Sequence, residues 1–410
     1  MSRSRGLGLF AGFGVELEYM IVDRDSLAIL PVADLVLHQV AGEMANEVEC
    51  GALRWSNELV LHVLELKTNG PAPVLGGLSD EFTRQVRQIN QLLEGFGGTL
   101  MPGAMHPWMD PDLETRLWPH GDRSIYAAYD RIFGCRGHGW SNLQSAHLNL
   151  PFAGDEEFGR LHAAVRLVLP LLPALAAASP VVNGKVTGLL DNRIEMYRVN
   201  QARIPSITGQ VIPEPAFTID TYRRAILERL YRDIAPHDPE GILQAEWLNS
   251  RGAIARFDRN AIEIRLLDVQ ETPLADLAII TLLVEVLREL VAETCVPWPE
   301  QQLWSENALA EIFLAVLQEG RGALIKDPRY LAMFGIRANA LAVGELWRVL
   351  AERLLTRRDE AWAPLQVILD EGPLARRIIH ALGPEPERGR LAAVYRELCD
   401  CLQEGSMYHA

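Results

Sequence analysis

The stretch Gly14-Val15-Glu16-Leu17-Glu18-Tyr19 alternates apolar and acidic side chains. Alternate residues of a strand share a face, so Glu16 and Glu18 point one way while Val15 and Leu17 point the other. Glutamate is depleted in strands. Two carboxylates about 7 Å apart along one strand repel unless a cation lies between them. The competing reading is a sheet face open to solvent. Either way, the pattern predicts a sheet with one polar face and one covered face.

Working outward, strands are predicted over residues 14–22, 58–68, 145–150 and 261–267. In Ser145-Ala146-His147-Leu148-Asn149-Leu150, His147 and Asn149 share a face and Leu148 points away. A neutral imidazole can ligate a cation or bond a phosphate oxygen, whereas a structural histidine would bond backbone. In Asn260-Ala261-Ile262-Glu263-Ile264-Arg265-Leu266-Leu267-Asp268, Glu263 and Arg265 share a face opposite Ile262 and Ile264. A metal-binding carboxylate beside a guanidinium suits phosphoryl transfer; the alternative is a cross-strand salt bridge.

In 58–68 the separation of Glu58 and Glu65 is odd, so a regular strand would put them on opposite faces. A β-bulge would return them to one. His62 shares the parity of Glu58 and reads as a core histidine. Together these stretches place the Glu16–Glu18 pair, Glu65, His147 and Glu263 on different strands, with Arg265 among them.

Helical periodicity fills the intervals, over 79–95, 155–178 and 221–233, with Pro170 and Pro173 expected to kink or divide the second. Beyond residue 274 it dominates, over 274–295, 307–319, 340–355 and 388–403. The predicted class is α+β. A catalytic body spans about 12–273, a helical part over 274–410 packs on it, and no linker separates them, which implies a single catalytic domain over 1–410. The helical part can cover the site or form a subunit contact in a homo-oligomer.

With 410 residues, 49% of them hydrophobic, the chain can bury a large core. A net charge of -15 argues against a nucleic-acid partner. The most apolar helical run carries Asp276, Glu285, Arg288 and Glu289, so it reads as a buried helix and not a membrane span. Five cysteines fit no zinc or disulfide spacing and point to a reducing cytoplasm. There is no G-x-x-x-x-G-K-[ST], no G-x-G-x-x-G opening a helix, no H-E-x-x-H and no G-x-S-x-G. Any nucleotide must be held by something other than a glycine-rich loop.

The ordered set of Gly14-Val15-Glu16-Leu17-Glu18-Tyr19, Glu65-Leu66-Lys67-Thr68, Met105-His106-Pro107-Trp108, His147-Leu148-Asn149-Leu150, the run over 171–180, Thr187-Gly188-Leu189-Leu190-Asp191-Asn192-Arg193 and the stretch over 260–268 resembles the glutamate–cysteine ligase type 2 family of carboxylate–amine ligases, in the glutamine synthetase superfamily. The resemblance implies an antiparallel sheet curved into a half-barrel, with helices on its convex face and the active site in the concave one. It implies magnesium or manganese ions, and ATP that activates a carboxylate as an acyl phosphate for attack by an amine. Glu16, Glu18, Glu58, Glu65 and Glu263 match metal-binding carboxylates. His147 matches a metal- or nucleotide-contacting histidine, and Arg193 and Arg265 match arginines near the transferring phosphate. Asn149 stands where the family often has a second histidine, and is read as cofactor-binding with His147 and Arg265. Leu189 replaces the usual aromatic residue, and the segment 197–203 matches nothing in the family pattern.

The expected activity is therefore an ATP- and metal-dependent carbon–nitrogen ligase acting on a small carboxylate and an amine. An ATP:guanidine-type phosphotransferase is the enzymatic alternative. A non-catalytic binding protein that keeps the fold is the third reading, disfavoured by the costly charged pairs Glu16-x-Glu18 and Glu263-x-Arg265. Neither enzymatic reading needs a cysteine nucleophile.

Overall fold

The computed structural model describes residues 6–410. Its centre is an open sheet of eight strands: β1 (Gly14–Asp23), β2 (Glu47–Cys50), β3 (Leu53–Asn57), β4 (Val63–Thr68), β5 (Gly98–Met101), β6 (Ser145–Pro151), β7 (Ala253–Arg256) and β8 (Ala261–Asp268). The order is β2-β3-β4-β1-β6-β8-β7, every pairing is antiparallel, and the sheet does not close. Met20 pairs with Val63 of β4 and with Met101 of β5. β5 therefore continues the edge of β1 that β6 begins.

The alternation seen in the sequence sets the faces. Val15, Leu17, Tyr19 and Ile21 of β1, Leu64 and Leu66 of β4, Leu148 and Leu150 of β6, and Ile262 and Ile264 of β8 enter one large core. Helices α1 (Leu78–Leu93), α2 (Gly154–Val168) and α3 (Pro273–Val291) cover that face, through Phe82, Val86 and Ile89, through Phe158, Leu161 and Val165, and through Leu283 and Leu287. α3 is apolar nearly all round because helices pack against it on several sides. Pro170 and Pro173 do divide the predicted 155–178 helix: α2 gives way to a 3-10 turn at Leu169–Leu171, then to a short helix at Pro173–Ala176.

Residues 58–68 are not one strand. β3 ends at Asn57 and β4 starts at Val63, so Glu58 lies in the hairpin connection between them. A loop, not a bulge, frees Glu58 from the parity constraint. A register shift does occur elsewhere, between Ile264 and Leu267 of β8. It pairs Asp268 with Ser145, on the face of His147 and Asn149, although the spacing of Asp268 from Glu263 is odd.

The helical C-terminal part divides between the two faces of the sheet. Residues from Pro273 to the helix Trp362–Glu371 join the large core. The last two helices, α4 (Leu374–Leu382) and α5 (Arg388–Glu404), instead build a smaller core on Met20, Val22 and Met101. Met20 and Val22 share the face of Glu16 and Glu18, so these helices cap one end of the polar face.

Candidate active site

At the uncapped end the paired strands bring the predicted carboxylates together. Glu16 lies opposite Lys67 of β4 and His147 of β6; Glu18 lies opposite Glu65. One ligand atom from each of Glu16, Glu65 and His147 falls within 4.8 Å of the others, and the same holds for Glu18, Glu58 and Glu65. Glu65 belongs to both triads. Glu58 reaches its triad from the hairpin connection.

Hydrogen bonds fix most of these groups. Ser145 donates its backbone N–H (2.7 Å) and its hydroxyl (3.0 Å) to Glu18. His147 Nε2 lies 2.8 Å from Ser145 Oγ, and its Nδ1 lies 3.2 Å from Glu16. Asn149 donates to Glu16 at 3.0 Å. Gly14 faces Asn149 across the sheet, where a Cβ would meet the Asn149 Cβ at 2.9 Å; glycine leaves room for that amide. Ser56 donates to Glu65 at 2.6 Å, and Lys67 bridges Glu65 (3.0 Å) and Glu47 (2.9 Å).

The electrostatics follow from this crowding. Burial, then the charges of Glu18 and Glu65, push Glu58 far above the usual carboxylate range. Burial and Glu16 raise Glu65 to about 7 against the pull of Lys67. Burial alone would raise Glu16 and lower His147. Their mutual hydrogen bond and the neighbouring charges reverse both, leaving Glu16 well below its ordinary value and His147 at about 9. Glu58 and Glu65 thus tend to carry protons that a bound cation would displace. The donor set is carboxylate oxygen plus one imidazole, with no thiolate, which fits a hard divalent cation.

Glu263 belongs to neither triad. Its carboxylate is 2% exposed as a residue and takes Arg265 Nε at 2.6 Å and Arg256 Nη1 at 3.3 Å. Its charge still helps raise His147. Arg193 is buried on the helix Asn192–Tyr197, with its Nε bonded to Asp268. Asp268 in turn accepts from Ala178 N (2.7 Å) and Ser179 Oγ (2.9 Å). His62 lies apart, fully buried with Nε2 2.9 Å from Ser141 O, and burial lowers it to about 4; it is a core histidine. Arg198 pairs with Glu195 at the surface, and exposed Arg203 donates to Ile132 O.

Two cavities flank the acidic cluster. One, of about 470 Å³, is lined by Glu16, Asn149, Arg54, Lys67 and Arg259, with Leu7, Pro71 and Pro151. The other, of about 350 Å³, is lined by Glu18, Glu58, His147, Arg193 and Arg265 at one end and by aromatic side chains beyond. Of the residues singled out from the sequence, Glu16 and Asn149 line the first cavity, Glu18, Glu58, His147, Arg193 and Arg265 line the second, and Glu65 and Glu263 line neither. Sequence reasoning passed over Lys67, although it shares the parity of Glu65, and Arg256, whose strand is too short to show an alternation. It also gave no role to Asp268, which the register shift brings to the polar face.

Comparison with known proteins bears on the family and the fold. A family model described as glutamate–cysteine ligase family 2 matches residues 12–397. An uncharacterised protein of Archaeoglobus fulgidus is 30% identical over 395 residues, covering 96% of this chain and 99% of its own. Among solved structures, the glutamate–cysteine ligase of Francisella tularensis in complex with AMP superposes with a TM-score of 0.56 at 13% identity, over 95% of this chain and 88% of that one. A bifunctional glutathione synthetase from Pasteurella multocida gives 0.54 at 14% identity, over 95% of this chain and 53% of that one. At such identities the two structures speak to the fold.

Proposed function

We propose, from the premise that this chain belongs to glutamate–cysteine ligase family 2, that it is an ATP- and divalent-metal-dependent ligase joining a small carboxylate to an amine. The observation that carries the reading is the pair of acidic triads sharing Glu65, set between two cavities with Arg265 and Arg193 alongside. Glu18, Glu58 and Glu65 would hold one magnesium or manganese ion; Glu16, His147 and Glu65 would hold a second, with Glu263 as a further ligand once its arginines turn to phosphate. Bound there, such ions neutralise the carboxylates and polarise phosphate oxygens.

The cavity with Arg54, Lys67 and Arg259 suits the nucleotide. Its three cations can meet phosphates once Arg54 and Lys67 leave Glu47, which also lines it, its apolar side chains can meet a base, and Asn149 and Glu16 line it too. The fold neighbour with AMP bound is consistent with a nucleotide on this scaffold. Arg265 is oriented by Glu263 and Arg193 by Asp268. Both would stabilise charge on the phosphoryl group as it passes to the substrate carboxylate. The amine then attacks the acyl carbon and phosphate departs as the leaving group, so no protein nucleophile is required. Among the described residues no helix is long and apolar enough to cross a membrane. The five free cysteines support a reducing, cytoplasmic setting.

The test is ADP release from ATP with pools of candidate acids and amines. The ligase reading expects release only when both an acid and an amine are present, with one amide formed per ADP. Release with a single guanidine compound would replace it with the phosphotransferase, and no release with any pool would leave a binding protein.

A further inference from the structure

The cavity that opens from Glu18, Glu58 and His147 has an extensive aromatic lining. Beyond the reaction centre its wall is made by Tyr126, Tyr129, Trp140, Tyr197 and Trp247. Three of these rings form a continuous surface: the Tyr129 centroid lies 5.1 Å from Trp140 and 6.0 Å from Trp247. Ile125, Leu59 and Leu143 add to it, and the other polar groups lining the cavity are the neutral Asn200, Gln201 and Ser250 and the acidic Asp122, which would repel a substrate carboxylate. Its volume of about 350 Å³ is in the lower part of the ~300–1,000 Å³ range of small-molecule sites.

The placement of cations is the deciding feature. Among the described residues lining this cavity, the only lysine or arginine side chains are Arg193 and Arg265, the latter also close to Tyr129 and Tyr197. Arg193 is engaged by Asp268 and Arg265 by Glu263. The acid substrate must present its reacting carboxylate to these two arginines. An amino acid used as the amine would need a second cation near its own carboxylate, and burying that carboxylate against tyrosine and tryptophan without one is costly. The same rings favour an apolar body and, through their π faces, an ammonium group on its way to deprotonation.

We propose that the amine substrate is a primary amine with an aryl or alkyl body and no carboxylate, seated against Trp247, Tyr129 and Trp140. This rests on the ligase reading and narrows it. The nitrogen bonds to the acyl carbon as the bond from that carbon to the phosphate oxygen breaks. Phosphate leaves with the electron pair and one proton from the ammonium group, and a second proton goes to solvent.

The experiment uses matched amines that differ only by the carboxylate: 2-phenylethylamine against L-phenylalanine, tyramine against L-tyrosine, and cysteamine against L-cysteine. Each is given to the full-length protein with Mg-ATP and a panel of mono- and dicarboxylic acids, glutamate included, and ADP and amide are measured. The expected result is kcat/KM at least tenfold higher for the carboxylate-free member of each pair, and higher for the aryl amines than for cysteamine. Trp247→Leu should raise KM for 2-phenylethylamine about tenfold with a much smaller change in kcat, and Trp140→Leu gives a second reading should that variant fold poorly. Equal or better use of the amino acids overturns the proposal and leaves the ligase standing. Absence of ADP with every acid and amine overturns both.

Discussion

Strand β1 presents Glu16, Glu18, Met20 and Val22 on one face, and the two halves of that face have opposite fates. At the Glu16–Glu18 end, neighbouring strands supply Glu65, Lys67, His147 and Asn149, and cavities open on both sides. At the Met20–Val22 end, α4 and α5 close over the sheet with Ile378, Leu391, Val394 and Leu398. The backbone geometry is continuous, so only the residue type at each even position separates a reaction centre from a core. Where the covering element is absent, the strand can carry charge without burying it unpaired. Where helices cover it, each side chain must be apolar or it would lose its water without compensation.

The largest expected break of this contrast comes from removing divalent cations. Excess EDTA should abolish ADP formation, and magnesium or manganese should restore it, with little change in folding, because the capped end contains no candidate ligands. Full activity in EDTA would mean the triads hold no catalytic metal.

Next is a crossed pair of substitutions. Arg265→Lys keeps the charge and loses the planar fork. A hundredfold to thousandfold fall in kcat is expected, about 3 to 4 kcal/mol, if the contact strengthens as charge develops, with a small shift in melting temperature. Glu263→Gln should instead raise the magnesium concentration needed for half activity. Leu398→Ala at the capped end should do the reverse of Arg265→Lys. Emptying a fully buried leucine site there costs about 2 to 5 kcal/mol of stability, while kcat stays near normal below the melting temperature. If Arg265→Lys lowers the melting temperature strongly and leaves kcat intact, the Glu263–Arg265 pair is structural and the two ends do not differ as argued.

How much of this was legible depends on how local each signal is. The faces of β1, β6 and β8 followed from period two, because each strand carries its own alternation of glutamate or histidine with Val, Leu or Ile. Glu58 was misplaced onto a strand because Leu59, Leu61 and Val63 extend the apolar pattern through the hairpin connection. Asp268 was given no role because the register shift after Ile264 inverts its parity, and that shift is set by pairing with β6, which the isolated stretch does not encode. His106, part of a family-like stretch, proves to be structural: it is fully buried, bonded to Leu27 O, and lowered to about 3 chiefly by burial. The aromatic cavity was invisible for a different reason. Its rings come from three separate stretches, at residues 126–140, 197 and 247, so no short window of sequence contains them together.

The smallest expected effect concerns the thiols. Neither flanking cavity is lined by Cys50, Cys135, Cys295, Cys399 or Cys401. Reactivity requires the thiolate, and burial works against it at each site with a resolved shift. Cys399 is pushed up to about 12 and Cys401 to about 11, each first by burial, and Cys135 is raised further by burial and Asp130. Cys399 also belongs to the capped end, in the small core with Met20 and Val22. Replacing buried Cys135 and Cys399 by alanine and the other three by serine should therefore lower stability modestly, on the order of 1 kcal/mol per buried site. kcat and both KM values should stay within about twofold, since acyl transfer through a phosphate uses no protein nucleophile. The measurement is steady-state ADP release beside a melting curve for the five-fold variant. Lost turnover at an unchanged melting temperature would place a thiol in the chemistry, and the charged end of the polar face would no longer account for the reaction by itself.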